Sequence, residues 1–106
     1  MKELSINCEK MAWSEAAGYP DGTKIKRLRE EKESKTFLLK LPAGFNEEAH
    51  SHIHTEQHFI LEGECESNGK KCGPGFYRLI PAHANHGPFI SERGATLLVT
   101  MDFKIE

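Results

Sequence analysis

The sequence has no apolar run approaching the roughly 20 residues that a membrane-spanning helix needs, and its N-terminus, Met1-Lys-Glu-Leu-Ser, has no apolar stretch. Neither a membrane span nor a secretory leader is expected. Basic excess is also missing: 14 Lys+Arg stand against 16 Asp+Glu, a net charge of −2. Nothing here would follow a phosphate backbone, so nucleic acid is not an expected partner. Cysteine is scarce and odd in number, with only Cys8, Cys65 and Cys72. That excludes the dense disulfide framework of small secreted domains and points to a reducing, cytoplasmic setting. Sustained helical periodicity is absent as well. The one early stretch that resembles it, Met11 to Ala17, runs into Gly18 and Pro20. There are no repeats and no linker, and 106 residues make one domain, 1–106.

What the chain does have is dense turn punctuation and histidine. Pro20-Asp-Gly, Pro42-Ala-Gly, Asn68-Gly, Gly73-Pro-Gly, Pro81 and Gly87-Pro separate short β-prone segments. Strands are expected near 3–8, 24–30, 35–41, 48–53, 56–62, 64–67, 70–72, 75–80, 86–90 and 95–103. Many short strands at turn spacing predict an all-β sandwich or closed barrel. Thr36-Phe-Leu-Leu-Lys-Leu and Thr96-Leu-Leu-Val-Thr-Met are apolar on both faces, so something must cover the outer one. A second copy of the chain is the expected cover. An N-terminal segment anchored by Trp13 is the alternative.

All six histidines fall between His50 and His86. His50, His52, His54, Glu56 and His58 occupy even positions, and side chains at i and i+2 of a strand share a face. His-x-His is therefore a natural grip on a metal ion. One straight strand cannot use all five, because positions 50 and 56 would lie roughly 20 Å apart at ~3.3 Å per residue. Either the chain turns near Ile53–Thr55 or only part of the set binds.

The spacing around these residues carries a resemblance. Gly44, His50, His52, Glu56 and Gly63 match the first motif of the cupin superfamily, G-x5-H-x-H-x3/4-E-x6-G. Gly75, Pro81 and His86 match the second, with His83 where Gly is usual and Ile90 where Asn is usual. The two motifs cover 44–63 and 75–90. The longer stretch, Phe59-Ile-Leu-Glu-Gly63-Glu through His86-Gly-Pro-Phe, is similar to the cupin domain of ChrR-type anti-sigma factors and to acetylacetone dioxygenase-like cupins.

The resemblance implies a double-stranded β-helix, a jelly-roll-like barrel, with one divalent transition metal per chain (Fe, Mn, Ni or Zn). Carried over by position, the ligands are His50, His52, Glu56 and His86. A frame shifted to His52, His54, His58 and His86 fails the glycine spacings on both sides. The implied function is a metal-dependent enzyme on a small carbonyl or carboxylate compound held in the barrel, Fe(II) dioxygenase-like. A non-catalytic metal- or ligand-binding sensor module is the alternative. The sigma-binding helical domain of the anti-sigma factors has no counterpart in this chain, so that role is not expected to carry over.

Period-two logic sends His58 and Ile60 inward with Glu56, making His58 a candidate catalytic residue or proton shuttle. Either Tyr77 or Arg78 must face inward, which makes Tyr77 a second candidate. His54 is expected in a solvated turn and His83 on an exposed loop at the pocket mouth. An Asn68-Gly69 hairpin would place Cys65 opposite Cys72, within reach of a reversible bridge, with two reduced thiols the expected state.

Overall fold

The computed structural model describes residues 1–103. Ten strands follow one short 3-10 turn, Cys8–Lys10: β1 (Ser14–Glu15), β2 (Lys24–Glu30), β3 (Ser34–Leu41), β4 (Phe45–Glu47), β5 (Thr55–Gly63), β6 (Cys65–Ser67), β7 (Lys70–Cys72), β8 (Tyr77–Ile80), β9 (Phe89–Ser91) and β10 (Ala95–Asp102). They form a six-stranded sheet ordered β1-β2-β3-β10-β5-β8 and a four-stranded sheet ordered β4-β9-β6-β7. Every pairing is antiparallel. The expected all-β double sheet is what the chain forms, and no helix among the described residues is long and apolar enough to cross a membrane.

The core lies between the sheets. β10 runs between β3 and β5, so Leu97 and Val99 are each only 1% exposed. Inward residues of β3 (Phe37, Leu39, Leu41) and Ile60 of β5 pack against them. Truncating a side chain buried this fully costs about 2–5 kcal/mol. A register shift between Thr96 and Leu97 leaves Leu61 of β5 without an opposite residue, and Leu61 is exposed.

Two expected strands do not form. Residues 1–7 carry no strand, and the segment expected at 48–53 holds only an isolated bridge between His50 and His86. The preceding strand is displaced to Phe45–Glu47, and the chain bends at Ile53 and His54 before β5 begins at Thr55. A straight strand would have carried the histidines apart; the bend gathers them.

The outer face of β2 and β3 is covered by the chain's own N-terminal segment. Lys26 Nζ donates to the Cys8 carbonyl at 2.8 Å and sits 4.6 Å from the centre of the Trp13 ring. Lys40 reaches the same ring from 5.7 Å. Leu38, opposite Lys26 in the register, is thereby buried within a single copy. The alternative with Trp13 as anchor accounts for this face, and a second copy is not needed there. The remaining exposed apolar row lies on β5 and β8: Phe59, Leu61, Tyr77 and Leu79.

The β6–β7 hairpin forms as expected, with Asn68 (φ 53°) and Gly69 (φ 77°) supplying the left-handed pair that a two-residue turn demands. Cys65 and Cys72 are direct partners and both are buried free thiols. Burial pushes the Cys65 thiol up to about 11.

Candidate metal centre

Two short pieces of chain meet at the open end of the barrel. His50 N–H donates to the His86 carbonyl and His86 N–H donates to the His50 carbonyl, each at 2.8 Å. This reciprocal pair ties the first motif to the second. His52 is fixed through its carbonyl, which accepts from His83 N–H at 2.6 Å. His83 itself stands at φ 67°, the left-handed region, which explains why glycine suits this position. Its backbone, not its exposed ring, serves the site.

The result is a triad. His50, His52 and His86 each present a ring nitrogen, and these lie within 4.8 Å of one another. Hydrogen bonds assign the tautomers of two of the three rings. His50 Nδ1 donates to the Glu48 carbonyl at 2.7 Å, which leaves Nε2 as a lone pair. His52 Nδ1 lies 3.1 Å from Glu56 Oε2, which leaves its Nε2 free as well. That Nε2 is 3.4 Å from His86 Nε2. Metal–nitrogen bonds are about 2 Å, so nitrogens that share an ion stand about 3–3.5 Å apart. His86 Nδ1 is buried without a partner. Three imidazole nitrogens converging at this spacing fit a divalent transition metal.

Burial disfavours the charged forms of His52 and His86. Burial lowers the His52 pKa, and the adjacent His54 and His50 oppose its protonation further, against the pull of Glu56. Burial, with His50 and His52 beside it, takes His86 down to about 4. Neutral imidazole is the form that ligates.

Glu56 is the hub behind the triad. Burial alone would raise its pKa, but hydrogen bonds from His58 and His54 overcome this and hold it at about 2. Oε1 accepts from His58 Nε2 and Oε2 from His54 Nε2, each at 2.7 Å. Glu56 therefore stands beside His52 with both oxygens already engaged. His54 departs from the solvated turn expected for it: its side chain is 12% exposed and its ring stacks on His52 at 4.6 Å. The bend at Ile53–His54 folds it back onto the carboxylate.

His58 is buried, as period-two logic required, and faces the cavity. Tyr77 does not. The alternation of β8 puts Tyr77 outside, 53% exposed, with its hydroxyl donating to Gln57 at 2.7 Å. Arg78 is the inward residue. Its guanidinium lies 4.4 Å from the Phe89 ring centre, and Nη2 donates to His58 Nδ1 at 3.1 Å.

A cavity of ≈ 380 Å³ runs from the histidines into the barrel. Its inner wall is apolar, including Leu39, Phe45, Leu97 and Val99. Two polar residues on this wall escaped the sequence reading, Tyr19 and Glu47. Glu47 Oε1 is 3.7 Å from His50 Nε2, and burial raises its pKa. Its place two residues after the inward Phe45 on β4 was the available signal. Tyr19 comes from a turn distant in sequence and had none.

The comparisons agree with this architecture. An RmlC-like cupin from Shewanella frigidimarina superimposes with a TM-score of 0.77 at 24% identity, covering 100% of this chain and 95% of that one. An acetylacetone dioxygenase from Acinetobacter johnsonii gives 0.75 at 17% identity, covering 96% and 74%. The Rhodobacter sphaeroides complex of SigE with the anti-sigma ChrR gives 0.73 at 22% identity, covering 91% of this chain and 52% of that chain. No curated protein matches in sequence. The family model for the ChrR cupin-like domain matches residues 1–102. With barrel, paired motifs and family model in agreement, this chain belongs to the ChrR cupin-like domain family.

Proposed function

We propose that the chain is a metal-dependent cupin enzyme acting on a small carbonyl or carboxylate compound, with the acetylacetone dioxygenase fold neighbour as an analogy for its chemistry. The observation that carries this reading is the convergence of one ring nitrogen each from His50, His52 and His86, with the Nε2 atoms of His52 and His86 3.4 Å apart, beside an apolar cavity. His50, His52 and His86 would hold one Fe, Mn, Ni or Zn ion, with Glu56 as fourth ligand once His54 releases Oε2. Such an ion supplies Lewis-acid polarisation of a carbonyl or enolate and, if it is iron, dioxygen activation. The chain's own residues do the rest. His58 holds a proton on Nε2 beside Glu56. The apolar inner wall, with Leu39, Phe45, Leu97 and Val99, would exclude water from a bound ligand. Reconstitution with Fe(II) and measurement of dioxygen uptake with acetylacetone tests the reading. Turnover supports it; stoichiometric iron with no uptake for any β-dicarbonyl overturns the catalytic part.

The ChrR family match favours a second reading, a metal-responsive regulatory module. It predicts a change in oligomeric state or partner docking when metal is removed, read by light scattering with and without chelator. We also infer a homodimer through the exposed row on β5 and β8. Leu79→Glu on that row would shift the mass to that of one chain.

A further inference from the structure

Tyr19 is a polar group of the cavity that neither histidine motif supplies. It projects from the turn between β1 and β2. Thr23, 1% exposed, closes that turn by donating to the Pro20 carbonyl through its N–H (3.2 Å) and its hydroxyl (2.7 Å). Ala16 N–H donates to the Thr23 carbonyl at 3.0 Å. The turn is thus pinned on both sides, and the Tyr19 ring packs on the core while lining the same cavity as His50, His52 and Glu56.

Among the described residues, nothing accepts a hydrogen bond from the Tyr19 hydroxyl, whereas that of Tyr77 is satisfied by Gln57. Tyr19 is half-buried, so its hydroxyl opens on the cavity, where water or a ligand oxygen can accept from it. No other hydroxyl lines this cavity. Burial, with the Glu56 and Glu47 carboxylates nearby, pushes the phenol well above its ordinary pKa, so at neutral pH it is a donor and not a base. A donor with no acceptor from the described residues, set beside the apolar inner wall of the cavity, is placed to meet a ligand oxygen. Two carboxylates close by disfavour phosphates and other multiply charged anions.

We propose that Tyr19 is a ligand-contacting residue, its hydroxyl donating to an oxygen of a compact, largely apolar molecule that carries carbonyl or enol oxygens at one end. This deepens the proposed function and rests on the reading of the histidine triad as the metal site. Calorimetric titration of the zinc-loaded full chain with acetylacetone tests it, comparing wild type with Tyr19→Phe, which removes only the hydroxyl. The expected result is binding by wild type and about tenfold weaker binding by the variant, the worth of one hydrogen bond, with zinc content and melting temperature unchanged. Equal affinities overturn the assignment of Tyr19 and leave the metal reading standing. Zinc uptake without acetylacetone binding overturns the ligand class. If no zinc is taken up, the metal reading falls; the same titration on the metal-free chain then decides Tyr19 alone, and equal affinities, nil included, overturn it.

Discussion

Arg78 of β8 and His58 of β5 face each other in register, and the guanidinium donates to His58 Nδ1 at 3.1 Å. Arginine has no acceptor, so this contact assigns the imidazole tautomer. Nδ1 must be bare and Nε2 must carry the proton given to Glu56 Oε1. A cation on one strand thereby sets the orientation of a carboxylate at the candidate metal centre.

Replacing Arg78 with Met should expose that dependence. His58 Nδ1 would be left buried without a donor, at a cost of about 1–3 kcal/mol. Urea denaturation of the metal-free protein measures the loss, and nitrogen-15 shifts of His58 report whether the tautomer preference has gone. An unchanged imidazole spectrum would show that Arg78 does not set it.

The triad and the hub make different demands on their histidines. His86→Ala removes one of three converging nitrogens, and stoichiometric zinc uptake is expected to be lost. His54→Ala removes a hydrogen bond to Glu56 Oε2 and a ring stacked on His52 but none of the three triad nitrogens, so uptake should persist. Elemental analysis after dialysis separates the two. Loss of zinc in both variants would make His54 a ligand.

Acid should destabilise the metal-free fold. His86 in the folded chain titrates at about 4, below its ordinary value of 6.5. The unfolded chain therefore binds more protons between those values, and stability from His86 is full above 6.5 and declines as pH falls towards 4. Glu56, held at about 2 against 4.5, extends the loss to lower pH. Glu47, whose pKa burial raises, works in the opposite direction and reduces the net fall; melting temperatures should still be lower at pH 3 than at pH 7, and equal values would contradict the burial of His86.

Two motif glycines should respond unequally to alanine. At Gly63 (φ 82°) a Cβ would lie 2.4 Å from the Gly94 carbonyl oxygen, a backbone atom that cannot step aside. At Gly44 (φ 79°) the space is open. Gly44→Ala should cost only the left-handed strain, about 1–2 kcal/mol. Gly63→Ala adds an overlap of about 1–3 kcal/mol. Denaturant midpoints give the order; similar midpoints would mean the β5–β10 contact yields.

Spacing in the sequence was enough for the barrel, the hairpin at Asn68-Gly69 and the inward row Glu56, His58, Ile60, because period-two alternation and turn chemistry act over a few residues. It was also enough to nominate His50, His52 and His86. It misjudged His54, since a bend of two residues reverses the direction of a side chain without any mark in composition. It left Tyr77 and Arg78 undecided, because either phase of a short strand satisfies the same alternation.

What the linear order determined is thus everything governed by neighbours within a turn or a strand. What only the tertiary structure decided are the meetings of distant pieces: His50 with His86, Arg78 with His58, Trp13 over Lys26, and Tyr19 in the wall of the cavity that the histidines line. Those contacts follow from how two twisted sheets close on each other, and closure is a property of the whole packed barrel, not of any stretch of chain.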